Sequence, residues 1–233
     1  MAKTQPAQEE RPREMKLVWC PESAVKAYLD TVALCKQLKE SGEAEIISAM
    51  AGGWNSRLTI EAWSHGSSTI AASIGLATAS QHTHGRHVCV VPDEQTRAAY
   101  TKAMHDAGIS PPPEVMVGKA EEVMAGLQGV EFLVVDFRGK DYLLVLKHAR
   151  LSQRGTVVVG INVCERSNIG GSIRWHHILE NGLTVIRSKL LPIGKGLEIT
   201  HIANRSKNSE NKGTNRWIRH VDQQSGEEHV FRT

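Results

Sequence analysis

The sequence predicts an α/β fold, in which a doubly wound, mostly parallel sheet carries helices on both faces and ends in an antiparallel edge hairpin. Between residues 57 and 160, short apolar strands alternate with helical segments, which is typical of a parallel sheet covered on both faces. After residue 183 the alternation stops, and two strand-like segments flank a turn at 192–196, which is a hairpin signal. A chain of 233 residues suffices for one large domain of this kind.

The predicted elements follow one another in a regular order along the chain. A polar, disordered tail is expected at 1–14, one domain at 15–203, and a polar loop with a terminal β-hairpin at 204–233. Two N-terminal helices cover 20–41 and 43–51, where Pro21 suits a first helical turn and a Gly-Gly pair follows the second helix. The predicted strands are 57–62, 87–91, 114–117, 132–136 and 156–160, and the predicted helices between them are 67–81, 93–105, 119–127 and 142–149.

Composition and charge exclude several classes of protein. Apolar residues make up 40%, charged residues 23%, and the net charge is +3, so nucleic acid is not an expected partner. No apolar run approaches the roughly 18 residues of a membrane span, and residues 1–14 lack the apolar core of a secretory signal. A cytoplasmic location is expected, with the nucleus left open. The four cysteines show no CxxC spacing, which argues against structural zinc and a disulfide framework.

Ligands of doubly wound sheets bind outside the carboxyl ends of the strands, where the strand order reverses. After the first strand, Ser64, Gly66, Ser67 and Ser68 precede a helix N-terminus. The free backbone N–H groups of that helix and the hydroxyls suit a carboxylate or a phosphate. Simple capping of the helix is the alternative. The sequence therefore predicts a crevice for a small-molecule ligand at this edge.

Polar side chains also follow the later strands. Asp93 follows the second strand and suits either a ribose hydroxyl pair or a helix N-cap, of which the cap is favoured. Asp136 ends an apolar strand and is expected to face the crevice, with Arg138 or Lys140 as a simple pairing partner in the alternative interpretation. Asn162 follows the fifth strand at the same edge.

Three histidines within six residues, His82, His84 and His87, have a spacing that permits metal binding. They precede the second strand and therefore lie at the edge opposite the crevice. A solvated loop is the favoured interpretation.

At these positions the chain resembles the class I methyltransferases that use S-adenosylmethionine (SAM), and most closely the small catechol and caffeoyl-coenzyme A O-methyltransferases. The resemblance covers about residues 43–202. It is carried by Ile60-Glu61 with Ser68-Thr69 (the glycine-rich motif), 117–120 (the adenine segment), Val135-Asp136 with Tyr142 (the metal-and-cofactor motif) and 191–197 (the late hairpin turn).

The resemblance implies a Rossmann-like domain with SAM as cofactor. The residues that it implies for cofactor binding are Glu61, Ser64, Gly66, Ser67, Ser68, Asp93, Ala120 and Asp136. The loop at 64–68 would hold the amino-acid part, and Asp93 and Ala120 would flank the adenosine. Asp136 would face the sulfonium or act as a general base, provided that its pKa is raised. Asn162 is the second candidate catalytic residue.

The chain also departs from the methyltransferase pattern. Of the three glycines that let backbone approach the cofactor, only Gly66 is present, and Trp63 stands where the methionine or ribose part needs room. The O-methyltransferases bind a divalent cation through two aspartates and an asparagine. Asp136 and Asn162 match two of these positions, but Ile161 stands at the third, so no metal is expected.

The whole chain resembles more closely a plant family, the domain of unknown function 1442, through 15–19, 91–94 and 217–222. This resemblance implies a plant source and a methyltransferase-like fold. Two hypotheses follow: a diverged SAM-dependent methyltransferase-like protein with an unknown acceptor, or a non-catalytic binding or scaffold protein on the same fold. Whether the chain is an enzyme, and whether it forms a homo-oligomer, are left open.

Overall fold

The computed structural model of the protein describes residues 19–38, 42–63, 70–139, 142–165, 175, 178–179, 182–204, 217–221 and 228–232. The predicted tail at 1–14 lies outside these residues, as does most of the predicted polar loop. Within them, no helix is long and apolar enough to cross a membrane.

Six α-helices and eleven strands are formed by the described residues. The helices are α1 (Pro21–Leu34), α2 (Glu43–Gly53), α3 (Ile70–Thr83), α4 (Glu94–Asp106), α5 (Ala120–Gly126) and α6 (Tyr142–His148). The strands are β1 (Leu58–Ala62), β2 (Arg86–Val91), β3 (Glu114–Val117), β4 (Gln128–Val130), β5 (Phe132–Asp136), β6 (Arg150–Leu151), β7 (Thr156–Ile161), β8 (Leu183–Leu191), β9 (Leu197–Asn204), β10 (Trp217–Val221) and β11 (Glu228–Arg232). Short 3-10 helices cover Cys35–Gln37 and Val163–Glu165. Each predicted strand and helix is present, with its bounds moved by a few residues.

The main sheet has seven strands in the order β3-β2-β1-β5-β7-β9-β8. The five strands from β3 to β7 are parallel, whereas β9 is antiparallel to both β7 and β8. The predicted doubly wound sheet with an antiparallel edge hairpin is therefore confirmed. The chain runs from β1 outward to β3 and then returns to β5, so the strand order reverses between β1 and β5.

Two small sheets lie outside the main one. The predicted C-terminal hairpin is present as the antiparallel pair β10–β11. The parallel pair β4–β6 was not predicted, because strands of two or three residues are too short to show an alternation in the sequence.

Apolar clusters fill both faces of the main sheet. On one face, Ala72 and Leu76 of α3 belong to a cluster with Phe132 and Val134 of β5. On the other face, Leu133 and Val135 of β5 cluster with residues of α5 and α6, such as Met124 and Val145. Neighbouring β5 residues therefore point to opposite faces, and burial of each large side chain contributes about 1.5–3 kcal/mol.

Candidate functional site

The carboxyl ends of the parallel strands bring three of the predicted site residues, Asp93, Asp136 and Asn162, to one edge of the sheet. Trp63 follows β1, Asp93 follows β2, Asp136 ends β5 and Asn162 follows β7. The predicted ligand loop after β1, which contains Ser64, Gly66, Ser67 and Ser68, lies outside the described residues, which stop at Trp63 and resume at Ile70.

Glu61 is buried in a polar network on the face covered by α3 and α4. Its Oε1 accepts hydrogen bonds from the Tyr100 hydroxyl at 2.6 Å and from His87 Nε2 at 3.0 Å. Its Oε2 accepts one from the Ser73 hydroxyl at 2.7 Å. With 3% of its surface exposed, the carboxylate is satisfied by core side chains. Its role in cofactor binding stays a prediction.

Two groups near Glu61, Tyr100 and Cys89, have raised pKa values. Burial, followed by the negative charge of Glu61, raises the pKa of Tyr100 and that of Cys89 well above their ordinary values. The Tyr100 hydroxyl therefore stays protonated at neutral pH and donates to Glu61.

For His87 the prediction of a solvated loop was wrong, whereas the predicted strand 87–91 is confirmed. His82 lies at the end of α3, where Nε2 is 2.7 Å from Asp30 Oδ2, and His84 lies in the turn that follows, with a φ of 52°. β2 begins at Arg86, so His87 is a strand residue whose side chain is buried against Glu61 instead of being solvated.

Trp63 stands directly before the loop at 64–69. Its backbone N–H donates to the Val90 carbonyl at 3.0 Å, which extends the pairing of β1 with β2 by one residue. Its indole packs edge-to-face on the Tyr100 ring, with ring centroids 5.3 Å apart. The buried Nε1 has no hydrogen-bond partner among the described residues. The ring thus lies against α4 at the entrance to the predicted ligand loop.

Asp93 is the N-cap of α4, as the favoured prediction had it. Its Oδ1 accepts hydrogen bonds from the backbone N–H and the hydroxyl of Thr96, both at 2.7 Å. The side chain is exposed at the carboxyl edge. A contact between Asp93 and a ribose stays a prediction.

The predicted adenine segment forms the turn from β3 into α5. Gly118 has a φ of +153°, which L side chains rarely adopt, and its N–H donates to the Val91 carbonyl at 3.0 Å. A Cβ at this position would lie 3.1 Å from the Val123 Cγ2, so glycine fits the turn. Ala120 begins α5 and packs partly buried against the apolar core.

Asp136 is buried and bound by Arg138. The Arg138 Nη2 donates to Oδ2 at 2.6 Å, its Nε lies 3.1 and 3.2 Å from the two carboxylate oxygens, and its backbone N–H donates to Oδ1 at 2.9 Å. Asp136 is 3% exposed and Asn162, which has a φ of 59°, is 2% exposed. Both candidate catalytic residues are therefore buried, and the Asp136 carboxylate is paired with the Arg138 guanidinium.

The pKa of Asp136 is lowered. Burial by itself raises it, but the hydrogen bonds from the side chain and backbone of Arg138, together with Asn162, outweigh burial. The condition for a general base, a raised pKa, is not met. The catalytic role of Asp136 stays a prediction.

A series of ion pairs continues from Arg138 along the carboxyl edge of the sheet. Arg138 Nη1 lies 3.8 Å from Glu165 Oε2, and Lys195 Nζ lies 2.5 Å from Glu165 Oε1. The hydrogen bonds to Asp136 raise the pKa of Arg138, and the charges of Glu165 and Glu43 add to this. The end of β5, the turn after β7 and the β8–β9 turn are thus joined by ion pairs.

Sequence reasoning missed Tyr100, Glu165 and Lys195. Tyr100 was detectable, because Thr96, Tyr100 and Met104 are spaced by four residues and form the buried side of α4. Glu165 and Lys195 carried no local signal, since the contact between them depends on how β9 returns beside β7.

Three solved structures share the fold of the chain. A methyltransferase from Geobacter sulfurreducens is 20% identical, with a TM-score of 0.53 over 77% of this chain and 97% of its own. A methyltransferase from Podospora anserina bound to S-adenosylhomocysteine (SAH) is 15% identical, with a TM-score of 0.54 over 88% and 100%. The O-methyltransferase TomG from Streptomyces achromogenes, in complex with SAM, is 18% identical, with a TM-score of 0.51 over 77% and 90%.

The structural likenesses establish a Rossmann-like, methyltransferase-type fold. No curated protein sequence matches the chain. A family model matches residues 15–233, which is nearly the whole chain and includes the crevice edge. The chain therefore belongs to the family described as "Protein of unknown function (DUF1442)".

Proposed function

We propose that the chain is a diverged SAM-dependent methyltransferase-like protein that binds SAM or SAH at the carboxyl edge, beside β1 and β5. The observation that carries the proposal is the strand order, which reverses between β1 and β5 and so creates the crevice in which such sheets bind ligands. Two of the three similar structures contain SAH or SAM, which supports this choice of ligand.

Each part of the edge takes a separate role in this proposal. Residues 64–68, which precede α3 in the sequence, hold the carboxylate of the ligand, and Asp93 and Ala120 flank the adenosine. The Gly118 turn lets the chain pass close to the adenine. Asp136 holds the Arg138 guanidinium at this edge, and it does not remove a proton from an acceptor, because Arg138 stabilises its ionised form.

The test is isothermal titration and thermal unfolding with SAH. A ligand at about 100 times its Kd adds about 2.7 kcal/mol of apparent stability, so a clear rise in Tm is expected. Ser67→Ala removes one hydrogen bond to a charged group, worth about 1.5–3 kcal/mol, and should weaken SAH binding by at least about tenfold. Thr101→Ala, on the exposed side of α4, is the matched control and should leave the affinity unchanged. Absence of both heat and a Tm shift at millimolar SAH would refute the proposal.

A non-catalytic scaffold on the same fold is the second candidate. It is favoured by the Trp63 indole, which packs on Tyr100 where the methyltransferase motif has a glycine, and by the pairing of Asp136 with Arg138. The variant Trp63→Gly separates the two candidates. If the wild type does not bind SAH and Trp63→Gly does, the indole closes the site and the scaffold function is the better account. If the wild type binds SAH, the scaffold candidate loses its main support.

A further inference from the structure

The crevice does not offer the ligands that a divalent cation needs. Mg²⁺ takes oxygen ligands in near-octahedral geometry, usually one or two carboxylates with several waters. The resemblance to the O-methyltransferases implies Asp136, residue 161 and Asn162 as its ligands. Ile161 has no donor atom and is buried at 2% exposure. Asn162 adds one neutral amide, so a single carboxylate would have to carry the site.

That carboxylate already holds a cation. Arg138 contacts both oxygens of Asp136 through Nε and Nη2, at 2.6–3.2 Å. A planar guanidinium matches a carboxylate in this two-pronged arrangement and keeps its charge at every accessible pH. The Asp136 side chain is 1% exposed and that of Arg138 is 30% exposed. The buried acid therefore fixes a positive charge that reaches the crevice.

Among the described residues, Glu165 does not replace the missing ligand. Glu165 is bound to Lys195 through Oε1 and faces Arg138 through Oε2. Across the parts of the chain that the structure describes, no three His, Cys, Asp or Glu side chains come together in a way that suits a metal ion. Glu165, the carboxylate that pairs with Arg138 beside Asp136, is itself engaged with Lys195.

We propose that the Arg138 guanidinium is the resident cation of this crevice and takes the place that a divalent metal ion occupies in the O-methyltransferases that the chain resembles. Charge at this point is supplied by the chain itself, so the crevice requires no metal. Chelators and Mg²⁺ leave its charge unchanged. The inference does not depend on SAM binding, because the probe that tests it is Mn²⁺ alone.

The test measures Mn²⁺ binding by electron paramagnetic resonance, in which the signal of free Mn²⁺ falls as the ion is bound. The wild type and Arg138→Lys, which keeps the positive charge, should show no binding below millimolar Mn²⁺. Arg138→Met removes the charge at similar length and should lower the Kd for Mn²⁺ by about tenfold or more, the scale on which groups bonded to a metal ligand change metal affinity. Adding Asp136→Asn to Arg138→Met should abolish the gain.

Arg154→Met is the matched control. Arg154 Nη1 lies 3.1 Å from the buried carboxylate of Glu131, so this variant also deprives a buried acid of its arginine, but outside the crevice. It should bind Mn²⁺ no better than the wild type. Circular dichroism shows whether each variant folds.

Two results would overturn the proposal. The first is that the wild type binds Mn²⁺ and that Asp136→Asn removes this binding, since Arg138 would then not exclude the metal. The other is a folded Arg138→Met that gains no Asp136-dependent site. If Arg138→Met fails to fold, the wild type and Arg138→Lys decide the question. Mn²⁺ binding by either protein overturns the proposal if Asp136→Asn removes that binding. Absence of Mn²⁺ binding in both proteins supports it.

Discussion

Glu61 shows how hydrogen bonds stabilise a single buried carboxylate in the core. A buried charge is costly unless it is hydrogen-bonded, and the two oxygens of Glu61 receive donors from Tyr100, His87 and Ser73. These donors come from α4, β2 and α3. One side chain therefore ties together three elements that surround β1.

Replacing Glu61 by glutamine should destabilise the protein by about 1.5–3 kcal/mol, because hydrogen bonds to a charged acceptor are lost and an amide N–H₂ is placed among donors. Urea unfolding followed by circular dichroism measures the change in the free energy of unfolding. Glu114→Gln is the control: Glu114 pairs with Arg86 on the surface, with side-chain exposures of 48% and 58%, and its loss should change stability by less than about 1 kcal/mol. Equal effects of the two variants would show that the buried network has no special role.

The sequence predicted where the site residues lie better than it predicted what they do. Asp136 was correctly expected at the end of an apolar strand, because the run of apolar residues before it indicates the strand and its end. The direction of its pKa was not predictable, since burial and hydrogen bonding act in opposite directions. Their balance depends on distances between atoms of Asp136, Arg138 and Asn162.

At the scale of elements, α3 is the helix most enclosed by the fold. Its residues are buried on nearly every side, between the sheet and the helices α1 and α2. An all-round apolar helix shows no 3.6-residue periodicity, so its prediction depended on its length and on its content of Ala, Ser and Ile. The closest approach is at Gly75, where a Cβ would lie 2.5 Å from the Ala44 carbonyl oxygen of α2.

Gly75→Ala should therefore destabilise the protein by about 1–3 kcal/mol through overpacking, although alanine is intrinsically better than glycine in a helix by about 1 kcal/mol. Thermal or urea unfolding measures the effect. In Gly126→Ala, at the end of α5, the new methyl group meets nothing within 4 Å, and stability should be unchanged or slightly higher. A stabilised Gly75→Ala would mean that α2 and α3 can move apart at no cost.

At the scale of the whole molecule, ion pairs join segments that are distant in the sequence. Asp136, Arg138, Glu165 and Lys195 connect the end of β5, the turn after β7 and the β8–β9 turn. The doubly wound, mostly parallel sheet could be predicted from the alternation of strands and helices. These contacts could not, because no local pattern encodes which loops meet above a sheet.

Stability should fall in acid because of Asp136. Its pKa is lower in the folded protein than in the unfolded chain, where it is about 3.9. Its contribution is therefore fully present above the unfolded value and is lost as the pH falls through the folded value. Asp136→Asn should reduce stability at neutral pH by about 2–3 kcal/mol, less than for a fully buried ion pair because Arg138 is partly exposed.

Urea unfolding at a series of pH values between about 2 and 7, which spans the titration of an ordinary carboxyl, measures this effect. The difference between the wild type and Asp136→Asn should shrink as the pH falls below the unfolded pKa of the carboxyl. Asp106→Asn, in an exposed position, serves as the control and should follow the wild type at each pH. A difference that stays constant down to the lowest pH would show that the charge of Asp136 contributes nothing.

The contact between Trp63 and Tyr100 allows the crevice edge to be followed by intrinsic fluorescence. The two rings lie 5.3 Å apart, close enough for light absorbed by the tyrosine to be emitted by the tryptophan. Trp63 is also the last described residue before the loop at 64–69. Its emission therefore responds to the packing of α4, so a chain in which the other tryptophans are replaced by phenylalanine carries an intrinsic fluorophore at the crevice edge.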